Sequence, residues 1–439
     1  MTKYDTFDSV DRESTNMKLK LPQISDIKNK TVLVRVDFNV PLKKDDSGVL
    51  KVTNDERITA SLETINFLLK HDAKVVLASH LGRPESARDV KYSLRPVAEY
   101  MKSVLGLPVV FSNECIGKNA QKEVFLAKKG EIVLLENIRF HSGEQENDAQ
   151  FAKELSKLAD VYINEAFSTS HRAHASIVGI PKHLPSFAGF ALEKEVSTFT
   201  KMTEKPERPL VIILGGAKIS DKVGAIEHLA KIADIVLVGG AVANSFLKAE
   251  GLEIYKSFIE DAPADLKKKN INYTDVACSL LEEHKTEKML MNGYIPLPKI
   301  VYPIDVVAGH SLEEADPKKT EVIDLTKENG HHDKNLLYLD IGPNTVKLYQ
   351  EIILHAKTVF WNGPMGVWEN PVLANGSKKI AASVALSNGT TIIGGGDTIA
   401  CATHFGLDKQ FSYVSAAGGA ALDFLSGKKL PGLVPLEDK

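Results

Sequence analysis

The sequence predicts an α/β protein built on parallel sheets, and three observations carry the prediction. Short β-rich runs alternate with longer segments of helical periodicity almost from end to end. Most of these runs are continuously apolar rather than alternating, as strands are when helices cover both faces of their sheet. The chain has 439 residues, more than one core organises, so two or three domains are expected. Strand–helix alternation also implies right-handed crossovers.

In chain order the runs are TVLVRVDF (31–38), KVVLAS (74–79), PVVF (108–111), EIVLLEN (131–137), VYIN (161–164) and PLVIIL (209–214). Then come DIVLVGG (234–240), KIVYPIDVV (299–307), LLYLDIG (336–342), TVFWNG (358–363), TTIIGGG (390–396) and SYVSA (412–416). Between them, segments such as ITASLETINFLLKHD (58–72) and QFAKELSKLAD (150–160) repeat apolar residues at spacings of three and four, as amphipathic helices do. Residues 1–16 are a polar extension, and the first twenty residues lack the apolar core of a signal peptide. The charged, proline-bearing stretch MTEKPERP (202–209) marks a domain break. Residues 261–298 read as a surface insertion, and LEEADPKKTEVIDLTKENGHHDKN as a charged connection with His331 and His332 in solvent.

Composition narrows the function. A net charge of −3 argues against a nucleic-acid binder, so any basic site must be local. No apolar run approaches the roughly 18 residues of a membrane span. The three cysteines, Cys115, Cys278 and Cys401, are scattered and form no CxxC, so a reducing cytoplasm is expected rather than a disulfide framework or zinc site.

In open parallel sheets, ligands bind beyond the carboxyl ends of the strands. In the first half those ends carry Arg35, Asp37 and Asn39, then His80 and Arg83, Arg139 and His141, and finally His171, Arg172 and His174. Arg57 opens an intervening helix. Any one of these is ordinarily a surface charge, but repetition at successive strand ends points to a small ligand with phosphate and carboxylate groups. In the second half the strand ends are glycine-rich: LGGAKISDK, VGGAVAN, DIGPNT, WNGPMGVWE, GGGDTIA and SAAGGAALD. Glycine lets backbone N–H groups approach a phosphate, and a following helix N-terminus favours one. Lys218 and Lys222, four apart, could share a helix face toward it. Asp397 could hold Mg²⁺ over a nucleotide phosphate, or simply cap its helix. An oxyanion half facing a nucleotide-phosphate half suits phosphoryl transfer in a closing cleft.

These residues, from about Met17 onward, resemble the phosphoglycerate kinase family. The ordered motifs RVDFNVP, ERI, SHLGRP, LLENIRFH, HRAHAS, GGAKISDK, DIGP, WNGPMGVWE, GGGDT and GGAALDFLSGKKLPG carry the resemblance together. It implies two Rossmann-like three-layer αβα lobes: 17–188 with the returning tail 428–439, and 205–427, joined by an interdomain helix and hinge at 189–204. It implies reversible, Mg²⁺-dependent transfer between 1,3-bisphosphoglycerate and ADP, giving 3-phosphoglycerate and ATP, by a cytoplasmic monomer with no nucleic-acid or membrane partner. The substrate residues it implies are Asp37, Asn39, Arg57, His80, Arg83, Arg139 and Arg172. The nucleotide residues are Gly216, Ala217, Lys218, Lys222, Gly240, Asn362, Pro364, Val367, Glu369, Gly395, Gly396, Asp397 and Thr398, with Asp397 as metal ligand. Arg57, Lys218, Gly418 and Gly419 are the expected catalytic groups, the last two through backbone donors.

The chain departs from the family pattern near the expected cleft. Glu165 replaces Asp, Ser168 and Ser170 replace Gly and Ala, Ala241 replaces Gly, Ala416–Ala417 replace Thr-Gly, and Trp368 replaces Phe. Positive φ at Ser168 or Ala417 would bring backbone strain. A catalytically weak ligand-binding or scaffold paralogue would need a missing catalytic group, and none is missing. A dehydrogenase would need the absent GxGxxG. The HxxH of HRAH has no cysteine or carboxylate cluster to complete a metal site, so His171 is read as part of the basic patch and His174 as structural.

Overall fold

The structure, a computed structural model, describes residues 17–85, 89–260, 272–291, 295–327 and 332–438. The polar extension 1–16 and His331 lie outside them. Five apolar runs of the first half become strands β1 (Thr31–Arg35), β2 (Lys74–Ala78), β3 (Val109–Phe111), β4 (Ile132–Leu134) and β5 (Val161–Asn164). A sixth, β6 (Ser186–Ala188), was too short to read as a run. They form one parallel sheet in the order β3-β4-β2-β1-β5-β6. Both faces are covered, which explains the continuous apolarity. Val32, Val34, Val75 and Leu77 pack with Ile65, Leu68 and Met101. Leu33, Val76, Val133 and Tyr162 pack on the opposite side with Phe151 and Leu155.

The second half repeats the design. Strands β7 (Leu210–Leu214), β8 (Ile235–Val238), β9 (Ile300–Val301), β10 (Thr358–Asn362), β11 (Thr390–Gly394) and β12 (Tyr413–Ser415) pair in parallel as β9-β8-β7-β10-β11-β12. Two expected runs behave differently. KIVYPIDVV is not one strand, because Pro303 has no N–H to continue the ladder. Its second part, Asp305–Gly309, and the run at Leu337–Ile341 instead join Glu321–Asp324 in a small antiparallel sheet. The charged connection therefore contains a strand. Within 261–298, Tyr273–Glu283 is a helix capped by the Asn272 side chain, which accepts from Thr274 N at 3.0 Å. Its buried Tyr273, Ala277 and Leu280 join the main core of this half, so this part is a packed helix rather than a surface insertion.

Helix α1 (Phe190–Glu204) follows the first sheet and buries Leu192, Val196, Phe199 and Met202, a stripe at spacings of four and three. Phe199 lies 6.1 Å from the ring of Phe167 in the first half and 6.2 Å from Phe360 in the second. The tail returns to the first half, where Lys20 N donates to Leu436 O (2.8 Å) and Gly432 N to Ser170 O (2.9 Å). Among the described residues no helix is long and apolar enough to cross a membrane.

One half-buried acid couples α1 to the second sheet. The Ser415 hydroxyl donates to Glu195 Oε2 at 2.8 Å. Burial pushes Glu195 up to about 7, outweighing the opposite effect of the Ser415 and Tyr413 hydroxyls. A carboxyl raised on folding stabilises the fold while protonated; that contribution is complete below the ordinary value of 4.5 and lost as pH rises through about 7. The wild type is expected to lose on the order of 3 kcal/mol through this group across that window. Glu195→Gln should flatten the pH dependence of the urea midpoint accordingly; an unchanged slope would exclude Glu195 as its source.

Candidate active site

Each sheet begins in its middle and grows to both sides, and a crevice opens where the strand order reverses. In the first sheet that point lies between β1 and β5. Asp37 and Asn39 follow β1, and Ser168, His171 and Arg172 follow β5. His80 and Arg83 come from β2, and Arg139 from β4. Arg57, on the helix Glu56–Ala60, donates to Asp37 Oδ2 at 2.8 Å. The Ser168 hydroxyl donates to the same oxygen, while Asn39 N donates to Oδ1 at 3.1 Å. Burial disfavours the Asp37 charge, but His80, Arg57, the Ser168 hydroxyl and Arg35 outweigh it and hold the carboxyl at about 2. In the Asp37–His80 pair the carboxylate keeps its charge. Burial holds the His80 ring well below the usual histidine range, and its Nδ1 faces Arg35 Nη2 at 3.2 Å.

Arg139 is the most telling cation. It is 7% exposed, and its Nη1 donates to Gly82 O at 2.8 Å. Its Nε and Nη2 are buried without a partner among the described residues. Burial lowers its pKa to about 10, with Arg35 and Arg172 adding repulsion. Unpaired donors on a buried cation, repelled by two others, make a place for an oxyanion. Arg35 is fully buried and structural, donating to Ser176 Oγ at 2.8 Å and to Val36 O. Sequence reading missed Glu144, a fully buried carboxylate beneath the rim that accepts from Ser176 N (2.9 Å) and Oγ (2.6 Å). No local spacing signals it; only the fold brings residues 144 and 176 together. His171 Nε2 accepts from Arg172 Nε at 3.0 Å. Burial lowers both His171 and His174, the latter to about 4, where Arg139 also contributes. His141 stacks on Phe151 instead, with ring centroids 5.2 Å apart.

The second crevice lies between β7 and β10. Gly215 N donates to Asn362 O (3.0 Å) and Gly216 N to Pro364 O (2.8 Å), bringing the two turns together. Gly240 begins helix α3 (Gly240–Ala249) with φ +56°, and a Cβ there would meet backbone atoms of Gly216 and Pro364 at 2.8–3.0 Å. Only glycine fits. Beside it lies a cavity of about 600 Å³ whose lining includes Gly216, Ala217, Gly240, Ala241, Pro364, Val367, Trp368 and Glu369. Helix α4 (Gly396–His404) opens after Gly395 at φ +95°. Asn362 Nδ2 donates to Gly394 O (2.8 Å), and Thr398 Oγ1 accepts from Gly363 N (2.7 Å), so both side chains brace this turn.

Lys218 and Lys222 do not share a helix face. Residues 217–219 are irregular loop and 220–222 a turn, and Lys222 immediately precedes helix α2 (Val223–Ile232). The two glycines and the turn chemistry postpone the helix past both lysines. Lys222 is largely buried, and burial lowers its pKa against the pull of Asp221 and Asp397. Asp397 is exposed in the first turn of α4. Among the described residues no group of three or more His, Cys, Asp or Glu could hold a metal alone. One hard carboxylate beside a phosphate pocket nevertheless fits Mg²⁺, which keeps waters and takes phosphate oxygens as its other ligands.

A third space unites the halves. A cavity of about 680 Å³ is lined by Arg83 and Arg172 from the first half, and from the second by Lys222, Asn362, Gly395–Thr398, Gly418 and Gly419. A Cβ on Gly396, Gly418 or Gly419 would meet nothing within 4 Å, so their backbone faces open space. Arg57 and Asp37 line a separate cavity of about 550 Å³ at the junction, with Glu165, Ser168, Glu195 and Ala417. Lys218 is exposed and lines none of these three. Neither Ser168 nor Ala417 has positive φ, so the strain considered for them does not arise.

Two parallel-sheet halves that present a cationic oxyanion rim and glycine phosphate turns to one cleft define a two-lobed α/β kinase architecture. The comparisons agree. The phosphoglycerate kinase family model matches residues 22–428. Phosphoglycerate kinase of Pseudothermotoga lettingae is 45% identical over 96% of this chain and 99% of its own length. That of Dictyoglomus turgidum is 44% identical, covering 94% and 97%. Among solved structures, phosphoglycerate kinase from Coxiella burnetii aligns with a TM-score of 0.77 at 35% identity, covering 93% of this chain and 96% of that one. The one from Pyrococcus horikoshii aligns at 0.75 and 32%, with the same coverages. The chain belongs to the phosphoglycerate kinase family and is an enzyme of phosphoryl transfer.

Proposed function

We propose that the protein transfers a phosphoryl group reversibly from 1,3-bisphosphoglycerate to ADP, giving 3-phosphoglycerate and ATP. The observation that carries this reading is the cavity shared by Arg83 and Arg172 with the glycine turns at 395–396 and 418–419. Lobes at 17–188 plus 428–439 and at 205–427, joined through 189–204, would each contribute one substrate site. Asp37, Asn39, Arg57, His80, Arg83, Arg139 and Arg172 bind the glycerate; the free Nε and Nη2 of Arg139 await its oxyanion. Gly216, Ala217, Lys218, Lys222, Gly240, Asn362, Pro364, Val367, Glu369 and Gly395–Thr398 bind the nucleotide. Both sites come from one chain, which suits a monomer. Three free thiols, Cys115, Cys278 and Cys401, suit a reducing cytoplasm.

Transfer proceeds directly between the two substrates as the lobes close and exclude water. Arg57 and Lys218 approach from opposite sides to balance charge on the moving group, and the backbone N–H groups at Gly418 and Gly419 add fixed donors. Asp397 would hold Mg²⁺, which when bound neutralises charge on the nucleotide phosphates. A coupled assay with 3-phosphoglycerate, Mg²⁺ and ATP is expected to show turnover. Folded protein that transfers no phosphoryl group from either ATP or GTP would overturn the reading in favour of a binding or scaffold protein.

A further inference from the structure

Asp37 is crowded. A carboxylate offers about four lone-pair positions. Arg57 and the Ser168 hydroxyl occupy Oδ2, and Asn39 N occupies one position on Oδ1. Of these donors, only Ser168 reaches Asp37 from the strand on the other side of the crevice, since it follows β5 while Asn39 follows β1. The Ser168 turn is stiff. Thr169 N donates to Ala166 O (3.1 Å), and Arg172 N donates to Thr169 O (3.1 Å). Its neighbour Phe167 is buried, 6.1 Å from Phe199 on α1 and 5.9 Å from Phe424 on helix α5 (Gly419–Leu425). One hydroxyl therefore joins the Asp37–Arg57 pair to a turn packed against the interlobe helix and the second half.

We propose that Ser168 is a positioning residue of the glycerate site, whose hydroxyl holds Asp37, and through it Arg57, in register with the turn that packs between the lobes. Without the hydroxyl, Oδ2 keeps only Arg57 as a donor, and the carboxylate can rotate with that guanidinium. The pair would then sample several arrangements, and the glycerate would have to select one of them. The cost falls on binding of the glycerate, because the Ser168 hydroxyl contacts Asp37 itself, in the junction cavity that Asp37 and Arg57 also line. The inference rests on the 3-phosphoglycerate reading above.

Steady-state kinetics of the full chain, with 3-phosphoglycerate and Mg²⁺-ATP varied in turn, tests it. Ser168→Ala is expected to raise the KM for 3-phosphoglycerate about tenfold, as for one hydrogen bond lost to a charged group. Turnover and the KM for ATP should change less than about twofold. Ser168→Thr, which keeps the hydroxyl, should restore most of the affinity. Where the alanine variant folds poorly, Ser168→Cys, which roughly keeps the volume but donates weakly, should show the same rise in the KM for 3-phosphoglycerate. An unchanged KM for 3-phosphoglycerate in an active alanine variant overturns the inference alone. So do equal losses in turnover and both KM values that threonine does not rescue. A wild type without phosphoryl transfer overturns the functional reading as well.

Discussion

Arg139→Met is expected to raise the KM for 3-phosphoglycerate by roughly a hundred- to a thousandfold, the loss of a buried charge pair. The folded state should be as stable as before, or more so. The two effects separate because of where the cation sits. Arg139 is nearly buried, repelled by Arg35 and Arg172, and has two nitrogens without partners. Glu144 and Asp37 offset part of that repulsion, and on the proposed reading the glycerate oxyanion would offset the rest. Methionine keeps the apolar stem, which packs, and removes the charge. The urea midpoint should therefore hold or rise while affinity for 3-phosphoglycerate falls. A thermal-shift series gives an independent reading: 3-phosphoglycerate should stabilise the wild type by mass action and leave the variant unmoved. A variant that binds normally would remove Arg139 from the site.

Lys218→Ala is expected to lower turnover roughly a hundred- to a thousandfold, the typical loss when one preorganised donor to transition-state charge is removed. Stability should stay within about 0.5 kcal/mol, as for exposed positions away from special features. Lys218 is exposed at the edge of the phosphate turns and lines none of the three cavities. On the proposed reading its contribution would arise only as the lobes close, and both KM values should change little. Single-turnover measurements would separate the chemical step from product release. Wild-type turnover in the variant would transfer the role to Lys222, which already lines the shared cavity.

Reading and structure diverge where one dimension of information is insufficient. Pro303 splits an apolar run that hydrophobicity alone presents as one strand. Lys218 and Lys222 have helical spacing, yet the backbone stays in loop and turn until Val223. Tyr273, Ala277 and Leu280 have helical spacing within a polar stretch, and their burial depends on packing against the preceding helix, Gly240–Ala249, and the core of this half. Glu144 left no trace in the sequence, because a single acid on a short helix looks like any surface charge. Ser168 and Ser170 could be noted as departures, but not what they touch. Ser170 Oγ accepts from Asn164 Nδ2 at 3.2 Å and its carbonyl accepts from the returning tail.

The sequence by itself determined the α/β class, most of the parallel strands and the chemical character of each set of strand ends. Apolar continuity, glycine and the placement of arginine are local properties, and a parallel strand buried on both faces needs them whatever surrounds it. Only the tertiary structure decided which of those ends meet. Strand order places β5 beside β1 and β10 beside β7, so Ser168 reaches Asp37 and Gly363 reaches Gly215. It also left Arg139 with donors unpaired and gathered Arg83 and Arg172 into one cavity with the turns at 395–398 and 418–419. Such contacts join residues scores to hundreds of positions apart, and their geometry depends on the packing of whole sheets rather than on any local pattern.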